Sequence, residues 1–250
     1  MSVLLTGASS GIGLELGRVF ARHKHDLILV ARSKEKLEQL AREWSTEFGV
    51  KVDVAAVDLS RPNAAGQLAN RDVDILVNNA AFGLNGTFVD LDLRRQLEMI
   101  ELNVTALTHL TGLFLPAMVK RGRGRILNVA STASFQPGPM MAVYYATKAY
   151  VLSFSEAIAE ELRGTGVTVT ALCPGPTATD FTRVAGMANS RLHRRFAADA
   201  KSVAEKGYRA LMKGKRLLVP GMINKLTAVS VRFSPRGLVT RIVKGMNRTD

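Results

Sequence analysis

The sequence predicts an α/β protein built on a doubly wound parallel sheet of about seven strands flanked by helices. Three observations lead there. Short apolar runs alternate with longer amphipathic ones from residue 2 to residue 220. A glycine-rich turn, Gly7-Ala8-Ser9-Ser10-Gly11-Ile12-Gly13, directly follows the first apolar run. Small and polar residues cluster where the apolar runs end, the edge at which open α/β sheets bind ligands. With 250 residues, 47% of them hydrophobic, the chain can bury one large core. It contains no repeat, low-complexity tract or linker, so residues 1–250 read as a single domain.

Ser2–Thr6 is the first expected strand, and the glycine turn leads from it into a helix ending near His23. Missing side chains let a pyrophosphate approach the backbone, and the helix start offers free N–H groups. Gly7, Ser9, Ser10, Gly11, Ile12 and Gly13 are therefore expected nucleotide contacts, although the spacing is Gly-x3-Gly-x-Gly and not the commoner Gly-x-Gly-x2-Gly. Asp26–Ala31 is the second strand. Where an acid would accept from the adenosine ribose, this chain has Arg32-Ser33-Lys34. A guanidinium, a hydroxyl and an ammonium suit a 2′-phosphate, so Arg32 and Ser33 predict NADP(H) over NAD(H). The plainer reading is that Arg32 and Lys34 begin a solvated helix, Lys34–Phe48. The third strand lies in Lys51–Val57 and ends at Asp58-Leu59, beside adenine or as a cap through Ser60. Val73–Val77 is the fourth, followed by Asn78-Asn79-Ala80-Ala81, whose adjacent amides need backbone or ligand partners.

Leu91–Leu102 and Val104–Lys120 read as helices, with Asn103 marking a kink or a specific bond. Arg125–Val129 is the fifth strand and delivers Ser131 to the ligand edge. Ala142–Arg163 is helical, so Tyr144 and Lys148, four residues apart, share a face. A cation beside a phenol favours phenolate and brings the tyrosine towards a useful range for proton exchange. Val167–Leu172 is the sixth strand, followed by a rigid loop from Cys173 to Thr179. Residues 181–200 read as a lid over a pocket. Ser202–Met212 is a helix with Ser202 and Glu205 at capping-box spacing, and Leu217–Pro220 is an edge strand. Phe82, Phe135, Met140, Met141, Phe181, Met187 and Phe196 are candidates for an apolar pocket.

Composition narrows the classes further. No apolar run comes near the length of a bilayer span, and the glycine motif follows the first six residues, which leaves no room for a signal peptide. Cys173 is the only cysteine, consistent with a reducing, cytoplasmic setting. The four histidines have no metal-ligand spacing, so no metal is expected. Formal charge is +13, and residues 201–250 hold twelve Lys/Arg against Glu205 and Asp250. This basic end argues for an anionic surface or ligand; the paucity of aromatics and the lack of a binding module argue against nucleic acid. The extension at 222–250 contains two short basic amphipathic segments, Met222–Phe233 and Gly237–Met246. They are expected to cover a neighbouring subunit or rest on an anionic bilayer, with packing against their own chain as the plain alternative.

Taken in order, Thr6-Gly7-x3-Gly11-x-Gly13, Asp58, Asn78-Asn79-Ala80, Asn103, Ser131, Tyr144-x3-Lys148 and Pro174-Gly175-x3-Thr179 resemble the short-chain dehydrogenase/reductase family over residues 2–220. Ala81 and Ala130 depart from common family residues without removing a reacting group. The resemblance implies a Rossmann-type fold and NADP(H)-linked interconversion of a hydrophobic ketone or aldehyde with an alcohol. It assigns Tyr144 as general acid or base, Lys148 to the phenol and the nicotinamide ribose, and Ser131 to the substrate oxygen. Asn103 would hold a proton-relay water. Asn79 and Ala80 would lie near adenosine, Pro174, Gly175, Thr177 and Thr179 near the carboxamide. Ser134 and Tyr145 are decoys. A homodimer or homotetramer through the Asn103 and Tyr144 helices also follows from the resemblance. The competing reading is a non-catalytic NADP(H)-binding or membrane-peripheral protein on the same fold.

Overall fold

The computed structural model describes residues 1–186 and 197–248, apart from the Thr182 side chain. Seven parallel strands form one sheet: β1 Ser2–Thr6, β2 Asp26–Ala31, β3 Val52–Ala56, β4 Ile75–Asn78, β5 Gly124–Val129, β6 Val167–Leu172 and β7 Leu217–Leu218. Their order across the sheet is β3-β2-β1-β4-β5-β6-β7, so the winding reverses between β1 and β4. The helices are α1 Gly11–Arg22, α2 Lys34–Phe48, α3 Leu93–Ile100, α4 Leu107–Lys120, α5 Ala142–Glu161, α6 Phe181–Val184, α7 Ala200–Met212, α8 Met222–Ser230 and α9 Arg236–Asn247. The doubly wound parallel sheet expected from the sequence is thus the one observed.

β1 explains why its sequence is an unbroken apolar run and not an alternating one. Val3 and Leu5 pack with Leu16, Phe20, Trp44 and Leu211 from α1, α2 and α7. Leu4 points the other way, towards Leu110, Phe114 and Ile158 from α4 and α5. Both faces are covered, so the three central residues, Val3, Leu4 and Leu5, are all apolar. At roughly 1.5–3 kcal/mol per fully buried large aliphatic side chain, this strand alone is a large part of the core.

Several boundaries differ from expectation, each for a physical reason. The two helices around Asn103 are one continuous helical run, Leu93–Lys120, in which Glu101–Ala106 widens into a π-turn. It is 28 residues long and contains an 18-residue stretch of mean hydropathy 1.4, enough by length and composition to cross a membrane, contrary to the expectation that no run comes near. Leu107, Leu110, Phe114 and Met118 pack its inner side on the sheet, while Leu93 and Leu97 stand exposed. α7 begins at Ala200, because the Asp199 carboxylate accepts from the Ser202 N–H at 2.9 Å and caps the helix; Ser202 is inside it. Glu205 instead forms an ion pair with Arg22.

The C-terminal segments fold back on their own chain. Ala228, Val239 and Val243 are buried, and Asn247 is 1% exposed. Its backbone carbonyl accepts from Asn85 Nδ2 at 2.8 Å, its Oδ1 from the Tyr145 hydroxyl at 3.2 Å, and its Nδ2 donates to the Pro139 carbonyl at 2.9 Å. One face of the extension is therefore already occupied within the subunit. Half of the expected lid at 181–200, residues 187–196, lies outside the described residues, and Met187 and Phe196 with it.

Candidate active site

A cleft of about 1150 Å³ runs along the carboxyl ends of the strands. At the reversal point, Gly7 has φ +68°, a conformation that favours glycine, and a Cβ on Gly13 would lie 2.1 Å from the Gly7 carbonyl oxygen. The turn is therefore a backbone-only cradle at the start of α1, suited to a pyrophosphate. Thr6 braces it: its Oγ1 accepts from the N–H groups of Asn79 and Ala80, both at 3.0 Å, and donates to the Val77 carbonyl at 3.3 Å. Asn79 Nδ2 donates to the carbonyls of Thr6 and Gly7. Its amide is spent on shaping the turn, and the backbone partner envisaged for it is the one found.

Gly7, Ser9, Ser10, Gly11, Ile12, Gly13, Arg32, Ser33, Asp58, Leu59, Asn79, Ala80, Pro174, Gly175, Thr177 and Thr179 all line the cleft. At the ribose end, Arg32 and Ser33 are joined by Lys36, which the sequence reading passed over. Lys34 pairs with Glu38 at 3.7 Å and is not in the lining. The solvated-helix reading thus holds for Lys34, while Arg32 lines the cleft and is exposed. Asp58 accepts from Ser60 N–H at 3.1 Å and Ser60 Oγ at 2.6 Å. Burial would raise its pKa, but the two Ser60 bonds and the Arg32 and Arg61 cations outweigh it and hold the carboxyl below its usual value.

Ser131, Tyr144 and Lys148 meet on the opposite wall. Ser131 follows β5 and caps the short turn Thr132–Phe135, its Oγ accepting from Ala133 N–H at 3.1 Å. The Tyr144 phenol faces that same hydroxyl closely enough for Ser131 to pull its pKa down. Lys148 is 4% exposed and donates to the Val129 carbonyl at 2.8 Å. Burial brings its ammonium down to about 8, against the opposing pull of Cys173. The neighbouring Cys173 thiol is pushed up to about 12, chiefly by burial.

One expectation is corrected here. The Lys148 ammonium sits 5.9 Å from the Tyr144 ring centroid, and its charge does not bring the phenol down. Burial raises the Tyr144 pKa well above its ordinary value, Ser131 opposes this, and Tyr145 adds to the rise. Burial thus favours the neutral phenol over the phenolate in this arrangement.

Asn103 does not line the cleft. Buried in the π-turn, its Oδ1 accepts from Phe82 N–H at 3.2 Å, and its Nδ2 donates to the Phe82 carbonyl at 3.0 Å and Thr147 Oγ1 at 3.1 Å. Its side chain positions the Phe82 loop against α5. The decoys separate cleanly: Ser134 Oγ donates to the Lys148 carbonyl at 2.7 Å, and Tyr145 is bonded to Asn247. Of the pocket candidates, Phe82, Met141 and Phe181 line the cleft; Phe135 packs instead against the α4–α5 core and Met140 sits in a turn at φ +70°. Met222, Ile223, Met246 and Asn247 also line it, a contribution the sequence did not signal.

Comparison with known proteins agrees with this geometry. The sequence model described as short chain dehydrogenase matches residues 1–189. A ketoacyl reductase, HetN, of Nostoc is 35% identical over 179 residues, 70% of this chain and 62% of its own. The human very-long-chain 3-oxoacyl-CoA reductase is 34% identical over 189 residues, 72% of this chain and 61% of its own. This chain thus spans about three-fifths of the length of those two curated relatives. A solved short-chain dehydrogenase from Sphingobium yanoikuyae in complex with NADPH superposes with a TM-score of 0.85 at 33% identity, covering 95% of this chain and 94% of that one. A bulky-bulky ketone specific alcohol dehydrogenase from Comamonas testosteroni gives 0.80 at 29% identity, covering 95% and 93%. The chain belongs to the short-chain dehydrogenase/reductase family of oxidoreductases.

Proposed function

We propose that this protein reduces a hydrophobic ketone or aldehyde to an alcohol, or runs the reverse, with NADP(H). The observation that carries the reading is the single wall on which the Tyr144 phenol meets the Ser131 hydroxyl beside a buried lysine. When bound, the nicotinamide donates or accepts the hydride. Tyr144 gives its proton to the carbonyl oxygen, and Ser131 turns its O–H from the Pro174 carbonyl, a long 3.5 Å contact, towards the oxygen where negative charge grows. Lys148 would hold the nicotinamide ribose, Pro174, Gly175, Thr177 and Thr179 the carboxamide, and the glycine turn the pyrophosphate. Arg32, Ser33 and Lys36 would take the 2′-phosphate, with Asp58, Leu59 and Ala80 near adenosine. Asn103 acts through the Phe82 loop.

Relatives named for ketoacyl and 3-oxoacyl-CoA substrates, and a neighbour named for bulky ketones, support an acyl or bulky ketone substrate. Exposed Leu93, Leu97, Val119 and Tyr150 on α3, α4 and α5 support a homo-oligomer through those helices. A panel of acyl, steroid and aromatic carbonyls followed by NADPH absorbance tests the activity. Wild type should turn over at least one class, while Tyr144→Phe binds NADPH normally and does not. No turnover across the panel, with NADPH still bound, would return the protein to the non-catalytic reading.

A further inference from the structure

We propose that the α8–α9 face is a docking surface for an anionic lipid bilayer, placed so that the mouth of the cleft opens onto the acyl layer. On α8 and the turn after it, Met222, Leu226, Val229 and Phe233 recur at helical spacing, all exposed, Phe233 by 85%. On α9, Leu238 and Ile242 form a second exposed stripe beside the buried pair Val239 and Val243. The inward faces are therefore satisfied by the subunit while an apolar outer face remains.

Charge identifies what covers it. Residues 222–248 contain six cations, Lys225, Arg232, Arg236, Arg241, Lys244 and Arg248, and no carboxylate. All six are exposed. A second copy of the chain would oppose this face with the same six cations. A nucleic acid would leave the apolar stripes wet. A bilayer with anionic headgroups matches both features, because helices of this kind lie in the interface with apolar residues below the headgroup level and cations within it.

The surface is also continuous with the site. Met222, Ile223 and Met246 line the cleft and are exposed at the same time. An apolar carbonyl partitioned in the bilayer could pass from acyl chains to cleft over methionine and isoleucine without crossing water. That passage rests on the reductase reading above; the docking does not.

Flotation of the full-length protein with NADPH tests the docking. It should rise with phosphatidylcholine vesicles containing phosphatidylserine and stay behind with phosphatidylcholine alone. Leu226→Ser/Phe233→Ser, neither in the cleft nor in the core, should cut the bound fraction at least about tenfold. Lys225→Glu/Lys244→Glu should cost about fivefold per cation or more. NADPH binding and turnover of a water-soluble carbonyl should be unchanged in both, which guards against misfolding. Three results overturn the proposal: no flotation on anionic vesicles, flotation of the serine variant equal to wild type, or equal competition by heparin for both. A protein that floats but reduces nothing sinks only the reductase reading, and an active one that does not float sinks only this one.

Discussion

Tyr144 and Tyr145 are adjacent in sequence and meet different fates, one facing Ser131 and the other bonded to Asn247. Helix geometry sends neighbouring residues about 100° apart, so both reach the cleft but only Tyr144 shares a helix face with Lys148. Tyr144→Phe should therefore lower kcat by roughly 10²–10⁴ with the NADPH Kd unchanged, measured by steady-state rates and fluorescence titration. Lys148 makes a separate prediction about stability. Its native value of about 8 lies below the ordinary 10.5, so between these the unfolded chain binds the extra proton and stability rises with pH. Lys148 should contribute up to about 3 kcal/mol from pH 8 to 10.5, opposed above pH 9 by the raised Cys173 thiol, and Lys148→Met should lack the Lys148 share in denaturant titrations at each pH. Arg32→Ala should weaken NADPH binding about 10–100-fold and leave NADH unaffected, if the guanidinium meets the 2′-phosphate. The identities of these residues were legible from spacing. The phenol's raised pKa was not, since spacing gives the direction of a side chain and not the depth of its burial.

At the level of elements, the strands were readable because a parallel sheet covered on both faces needs unbroken apolar runs. The joints between them were harder. Thr6 looks like one more β-branched strand residue, yet it ties β1 to the end of β4 through three hydrogen bonds. Thr6→Val keeps the shape and leaves two backbone N–H groups unpaired, at a cost of about 2–4 kcal/mol measurable by chemical denaturation. Asn128 carried a signal that went unused: an amide inside an apolar strand, 0% exposed, with Asn78 and Ser155 as partners at 2.9 Å. The π-turn at Glu101–Ala106 was signalled only by Asn103, as a kink or a specific bond, because helical periodicity cannot tell a widened turn from a break.

For the molecule as a whole, the reversal between β1 and β4 fixes where the nucleotide half of the cleft must lie, and any chain with this alternation would share it. The other wall is drawn from far-apart places: Asn85, Pro139 and Tyr145 converge on Asn247. Such long-range closure leaves no local trace in a sequence, which is why packing of the extension on its own chain stood only as the plain alternative. Asn247→Ala removes the Tyr145 and Pro139 bonds. It should raise KM for bulky carbonyls without moving the NADPH Kd, and speed amide exchange along α9. The family match ends at residue 189, whereas the closing helices start at Met222. On the proposed reading, hydride chemistry lies in the matched stretch, while part of the wall that would meet the substrate is added by Met222, Ile223 and Met246 beyond it. Transplanting a relative's stretch for 222–248 is accordingly expected to alter which carbonyls react while the preference between nicotinamides stays as it was.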